Sequence, residues 1–260
     1  MKRSLLLAFI ATSALMYSCS KTQDSNGNTI NITSCLVAYY PFNGNANDMS
    51  GSGNNGTVNG ATLTTDRFGN PNSAYNFDAT HWSSGSTRGD EIYIPYNYSF
   101  NSANISVSVW LQRTSSGAPS QRLSVIRRFQ YGYNNPNGQA WVIEMNPSDG
   151  YLTNTWALNA AATNTQTTLG IHGIANQINT WYHVVFTFDG KQFKQYINGV
   201  INSSTSLAGW SINTAGNSGI SIGVSDQANG YWAPFGGKID DIYIYCRALS
   251  DAEVQYLYTH

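Results

Sequence analysis

WYHVVFTFDGKQFKQYINGV, residues 181–200, decides the fold class. Tyr182, Val184, Phe186 and Phe188 alternate with Trp181, His183, Val185 and Thr187, the period of two of a strand that buries one face. Asp189-Gly190 then supplies the positive φ of a tight hairpin into 192–197, and Asn198-Gly199 makes a second turn. ISVSVWLQR (105–113) repeats the pattern, with Ile105, Val107, Val109 and Leu111 against Ser106, Ser108 and Trp110. Working outward, short apolar runs bounded by turn residues predict strands at 36–42, 74–77, 91–95, 105–112, 122–129, 139–145, 151–157, 181–188, 192–197, 219–224 and 238–245. One helix is predicted near the end, capped by Ser250 with Glu253 reciprocating and with Val254 and Leu257 turned inward. Many short antiparallel strands at this spacing mean a two-sheet sandwich or a barrel.

Composition agrees. Charged residues make up only 10% of the 260, while Gly (24), Tyr (17) and Trp (7) are abundant, which favours strands and tight turns over solvated helices. At the N-terminus, Lys2 and Arg3 precede a short apolar stretch from Leu5 to Leu15, too brief to span a bilayer, so residues 1–18 read as a signal peptide. Losing Lys2 and Arg3 takes 13 basic residues to 11 against 14 acidic ones, a net charge of −3. Such a chain offers no basic field to hold nucleic acid. Ser18 directly before Cys19 resembles the lipobox of bacterial lipoproteins, although Met16 stands where Leu is usual. That resemblance implies acylation of Cys19; the alternative is an ordinary secretory signal that leaves Cys19 a stray thiol. Residues 19–34 are polar and suit a flexible tether, with one domain following over 35–260. Ser20 is not the Asp of the inner-membrane retention signal, so the resemblance implies a lipid-anchored protein of the cell envelope, at the outer membrane.

Five stretches, in order, resemble one family. LVAYYPFNGNANDMSGSGNNG (36–56) is similar to the opening of laminin-G-like, concanavalin A-like jelly rolls. YNFD (75–78) with DEIYIP (90–95), the Ser-x-Trp strand ISVSVWLQR, the Trp-x-His-Val hairpin at 181 and GGKIDDIYIYCRALSDAEVQYLY (236–258) resemble the later motifs. The resemblance implies an all-β, two-sheet antiparallel jelly-roll sandwich with one short C-terminal helix. In that family the first and last strands lie side by side and commonly hold one structural Ca²⁺. Carried onto this chain, Asp48 and Asp240 would supply side-chain oxygens, and Gly51 and Asn54 carbonyls. Adjacent Asp240 and Asp241 inside a strand also want a cation, because like charges repel in a partly dry setting. The alternative is that Asp48 caps a turn and Asp240 ends a solvent face. The same neighbouring strands imply a Cys35–Cys246 disulfide, with two buried free thiols as the alternative.

The fold also carries glycoside hydrolases and polysaccharide lyases. Of the three Glu residues, Glu91 and Glu144 have no acidic partner two or four residues away, Glu253 has Asp251 two before it only within the predicted C-terminal helix, and the Glu-x-Asp-x-x-Glu pattern of laminarinase-like enzymes is absent. Glu144 is read as the partner of Arg127 or Arg128, His183 as a core histidine, and His172 lacks the company a lyase needs. The chain therefore reads as a non-catalytic module that binds carbohydrate or an extracellular partner. Its alternatives are a structural or adhesive envelope protein and a polysaccharide-acting enzyme. Trp and Tyr in polar loops mark places for sugar rings to stack: Trp82 and Arg88 in 81–90, Tyr131 and Tyr133 in 130–138, and Tyr231 and Trp232 in 228–237. Trp156 and Trp210 are weaker candidates, while Trp110, Trp181 and Phe235 read as structural.

Overall fold

The computed structural model describes residues 22–23, 27, 29–81, 89–114, 122–129, 139–146, 151–156, 158–160, 177–207, 210–212, 217–224 and 232–260. The chain divides into two units, residues 1–31 and 32–260. In the first, Thr22–Gln23 pairs antiparallel with Thr29–Ile30, so the stretch expected to be a tether carries a short ladder. The second begins a few residues before the expected position 35. Ile32 packs against the cluster around Tyr245, and Arg247 Nε donates to the Ser34 carbonyl at 2.9 Å.

Two large antiparallel sheets make the body of the second unit, with a separate two-stranded ladder pairing Leu158–Ala160 with Trp210–Ile212. The larger runs, in spatial order, Val200–Ser206, Gln192–Ile197, Trp181–Phe188, Ile105–Arg113, Gly237–Tyr245, Ala74–Phe77 and Thr62–Thr64. Leu36–Tyr40 lies beside the far end of Gly237–Tyr245, so first and last strands are neighbours: Tyr39 stands opposite Tyr243, and Ala38 opposite Ile244. The other sheet runs Tyr151–Trp156, Gln139–Asn146, Arg122–Phe129, Ile220–Ile222, Glu91–Ile94 and Thr57–Asn59, with Trp232–Pro234 parallel to the start of Arg122–Phe129. Val107, Val109, Leu111, Val184, Phe186 and Phe188 from one sheet bury against Ile92, Ile94, Ile126, Ile143, Ile220 and Ile222 from the other. This is the alternating, two-sided core that the period of two requires.

The opposite face of the larger sheet is also buried, which the alternation at 105–111 did not suggest. The helix Asp251–Thr259 covers it with Val254 and Leu257 against Val185, Tyr196 and Tyr245. Its start is the expected capping box, Ser250 Oγ accepting from the Glu253 amide while Glu253 accepts from the Ser250 amide. Ser106 and Ser108 are accordingly buried: Ser106 Oγ donates to the Arg247 carbonyl and accepts from the Leu249 amide. Several strands had no sequence signal, among them Thr57–Asn59, Thr62–Thr64 and Val200–Ser206. All three lie at sheet edges and are largely exposed, so no buried face imposes alternation on them. Among the described residues no helix is long and apolar enough to cross a membrane.

Candidate functional site

On the smaller sheet, Ile92, Ile94, Ile126, Ile143, Ile220 and Ile222 point into the core, so their strand neighbours point outward. The register sets Thr57, Tyr93, Ser221, Arg127 and Val142 in one row across that outer face. Glu91 and Glu144 lie two residues along from Tyr93 and Val142, on the same face, and Glu144 stands opposite Ser124. Ser221 Oγ donates to Glu91 Oε1 at 2.7 Å. Glu91, Glu144 and Ser124 are buried, and the Ser124 hydroxyl makes no hydrogen bond. Tyr93 is 37% exposed. The face therefore presents an accessible aromatic ring beside the partly exposed Arg127, with Glu91, Glu144 and Ser124 buried around them.

Of the two arginines considered for Glu144, only Arg127 shares its face. Arg128 turns the other way and is fully buried. Its Nη1 donates to the Phe100 carbonyl at 2.8 Å, its Nη2 bonds Asn101 Oδ1, and its Nε reaches the Ser218 carbonyl at 3.3 Å. Glu91 and Glu144 occupy strands three spacings apart, about 14 Å at the backbone. Glycosidases set their two carboxyl groups about 5–5.5 Å apart, or 6.5–9.5 Å when a water intervenes. Glu91 and Glu144 thus start from strands wider apart than either distance, and Glu91 is tied to Ser221.

Trp82, Arg88, Tyr131, Tyr133 and Tyr231 lie outside the described residues. Trp232 falls in the strand beside Arg122, and the strand positions of Trp156 and Trp210 are likewise given, but these three side chains lie outside the described residues. The ends of the 81–90 loop are described, and they are fastened together. Asp90 is buried, with Oδ1 2.8 Å from His81 Nδ1 and Oδ2 accepting from the Asp78 amide at 2.7 Å. The hydrogen bond to Asp90 and its charge raise the His81 pKa. Trp110, His183 and Phe235 are buried, as their structural reading requires.

The residues expected to hold calcium have different partners, with Tyr39 bonded on both sides. Asp48 Oδ1 accepts from the Tyr39 and Ser50 amides at 2.9 and 2.8 Å; Oδ2 accepts from the Asn54 amide and Ser50 Oγ, both at 2.9 Å. Three backbone amides thus hold that carboxylate, and the single Ser50 hydroxyl proton is within reach of both Asp48 Oδ2 and the Val37 carbonyl. Asn54 Nδ2 donates to the Val37 carbonyl, its own carbonyl accepts from Tyr40 Oη, and Gly51 is an exposed left-handed turn residue with φ +89°. Asp240 instead faces Arg67, with Nη1 3.0 Å from Oδ2. No group of three His, Cys, Asp or Glu suited to a metal occurs among the described residues. As placed, Asp48, Gly51, Asn54 and Asp240 do not fit a calcium shell. Arg67 was invisible to sequence reasoning because it lies 173 residues from Asp240 and in no motif. The Cys35–Cys246 expectation holds: the two are disulfide-bonded, with Cα atoms 5.3 Å apart.

Sheet order, register and the capping helix define a two-sheet antiparallel jelly-roll sandwich. The sequence matches the Laminin_G_3 family, described as the concanavalin A-like lectin/glucanases superfamily, over residues 85–255, and the chain belongs to it. Among solved structures it resembles domain 4 of AbnA, a GH43 extracellular arabinanase from Geobacillus stearothermophilus in complex with arabinotriose. The identity is 23%, covering 85% of this chain and 97% of that one, with a TM-score of 0.59. The binding domain of Paraclostridial Mosquitocidal Protein 1 is 19% identical over 88% of this chain and 52% of its own, with a TM-score of 0.64. A structure of botulinum neurotoxin type C, which interacts with two ganglioside molecules, is 17% identical with the same coverage and a TM-score of 0.62. The chain thus spans about half the length of the toxin domains it resembles. No curated protein matches the sequence.

Proposed function

We propose that the jelly roll is a non-catalytic module that binds carbohydrate or an extracellular partner, using the outer face of the smaller sheet. The observation that carries this reading is the row Tyr93, Ser221 and Arg127, in which the exposed Tyr93 ring and the partly exposed Arg127 stand on one face of a rigid sheet. Side chains held on a rigid sheet lose little entropy on meeting a ligand, and Tyr93 offers a ring to stack on. Structural neighbours include an arabinanase domain in complex with arabinotriose and a toxin that interacts with gangliosides, which makes saccharides the first ligands to try. The wide separation of Glu91 and Glu144 supports binding over hydrolysis. A glycan array that includes arabino-oligosaccharides tests the proposal. Tyr93→Ala is expected to weaken the best hit roughly five- to tenfold, the loss of about 1 kcal/mol of ring contact, with Tm unchanged. A folded protein that binds no glycan on the array supports the adhesive envelope reading instead.

The anchor belongs to the same proposal: cleavage before Cys19 and acylation of its sulfur would hold the module at the envelope surface. Intact mass of the mature protein is expected to show a diacyl or triacyl Cys19 at the N-terminus. An unmodified terminus removes the anchor and leaves a secreted protein.

A further inference from the structure

Asp240 and Asp241 are consecutive in a strand, so regular geometry would send their side chains to opposite faces. The strand does not stay regular there. Its register against Ile105–Arg113 shifts between Asp240 and Tyr243, and Asp241 takes a left-handed φ of +41°. That bulge brings both carboxylates to one group, because Arg67 Nη1 lies 3.0 Å from Asp240 Oδ2 and 2.6 Å from Asp241 Oδ2. The side chains of Arg67 and Asp240 are 7% and 3% exposed. Tyr39 Oη donates to Asp241 Oδ1, and the Asp241 amide to Asp240 Oδ1.

The guanidinium is itself held in place. It lies 4.5 Å from the Trp110 ring centroid and 4.3 Å from that of Phe68, between two aromatic faces. It is presented by a tight turn in which Asp66 Oδ1 accepts from the Phe68 and Asn70 amides at 2.8 Å each. A cation fixed by two rings and a turn and facing one buried and one partly buried carboxylate performs the charge balance that a bound metal would supply, while the Asp48 carboxylate is taken up by backbone amides.

We propose that Arg67 is the resident counter-cation of the Asp240–Asp241 bulge, and that the fold therefore needs no divalent ion. The proposal is independent of what the domain binds. Thermal unfolding of the full-length protein in millimolar EDTA and in millimolar CaCl₂ is expected to give the same Tm. Arg67→Met, which keeps the stem and removes the charge, is expected to lower Tm by about 6–8 °C. Adding Asp241→Asn to Arg67→Met is expected to recover at least half of that loss, because one of the two repelling charges is then gone. A drop in the unsubstituted protein's Tm on chelation overturns the proposal without relying on any variant. So does a double variant no more stable than Arg67→Met, since Arg67 would then act through packing alone.

Discussion

Replacing Cys35 and Cys246 by Ser is expected to lower stability by about 4–5 kcal/mol, the loss of loop-closure entropy for a bridge this long. The two cysteines are 211 residues apart, so the disulfide closes nearly the whole jelly roll into one loop. Its native geometry is already prepared by the fold. The strands it joins are hydrogen-bonded neighbours, and the Cys246 amide donates to the Cys35 carbonyl at 2.9 Å. Cys35 itself sits at a left-handed φ of +58°, which turns the chain into the first strand. Cutting the bridge therefore removes few folded-state contacts and acts mostly by freeing the unfolded chain. Urea titration should show the midpoint falling while the slope changes as well, because a chain without the cross-link exposes more surface when it unfolds. A loss below about 1 kcal/mol would mean that the unfolded ensemble keeps those ends together without the bond.

Why the bridge was legible while its neighbour was not is a matter of range. Cys35 and Cys246 flank the first and last strands, and the family resemblance implies their adjacency. The hairpin at 181–197 and the capping box at Ser250 were legible for a more local reason: turn chemistry and capping are written within four residues. Asp240-Asp241 signalled a need for a cation through like charges side by side. What met that need was Arg67, brought in from another turn, and no local pattern announces a contact 173 residues long. The outer-face row had the same obstacle. Tyr93, Ser221 and Arg127 come from three strands, and only the observed register aligns them. Sequence reasoning looked for binding groups among loop aromatics and passed over the sheet, because isolated polar residues between buried isoleucines look like ordinary solvent-facing positions.

Acid should unfold this domain sooner than its few ionic contacts suggest, because of His183. The ring is 1% exposed, packs against both Trp110 and Tyr258, which also stack on each other, and places Nε2 2.8 Å from Ser108 Oγ, while Nδ1 has no hydrogen-bond partner. Burial, aided by the positive charge of Arg67, pushes its pKa down to about 3 from 6.5. The folded protein thus keeps His183 neutral where the unfolded chain takes up a proton. The resulting stability is fully present above pH 6.5 and is lost as pH falls toward 3, amounting to about 2–3 kcal/mol at pH 4.5. Asp240 tilts the other way. Burial and the charge of Asp241 raise its pKa, against the opposing pull of Arg67, so its ionisation weakens the fold as pH rises above the usual carboxylate range. Stability should peak between the two limbs, and the acid limb should belong to the histidine. His183→Gln, which cannot titrate and can still bond Ser108, is expected to flatten Tm between pH 6.5 and 4.5 whatever its absolute stability. If both proteins lose the same Tm over that interval, the acid limb originates elsewhere, and the buried imidazole is not what the unfolded state protonates.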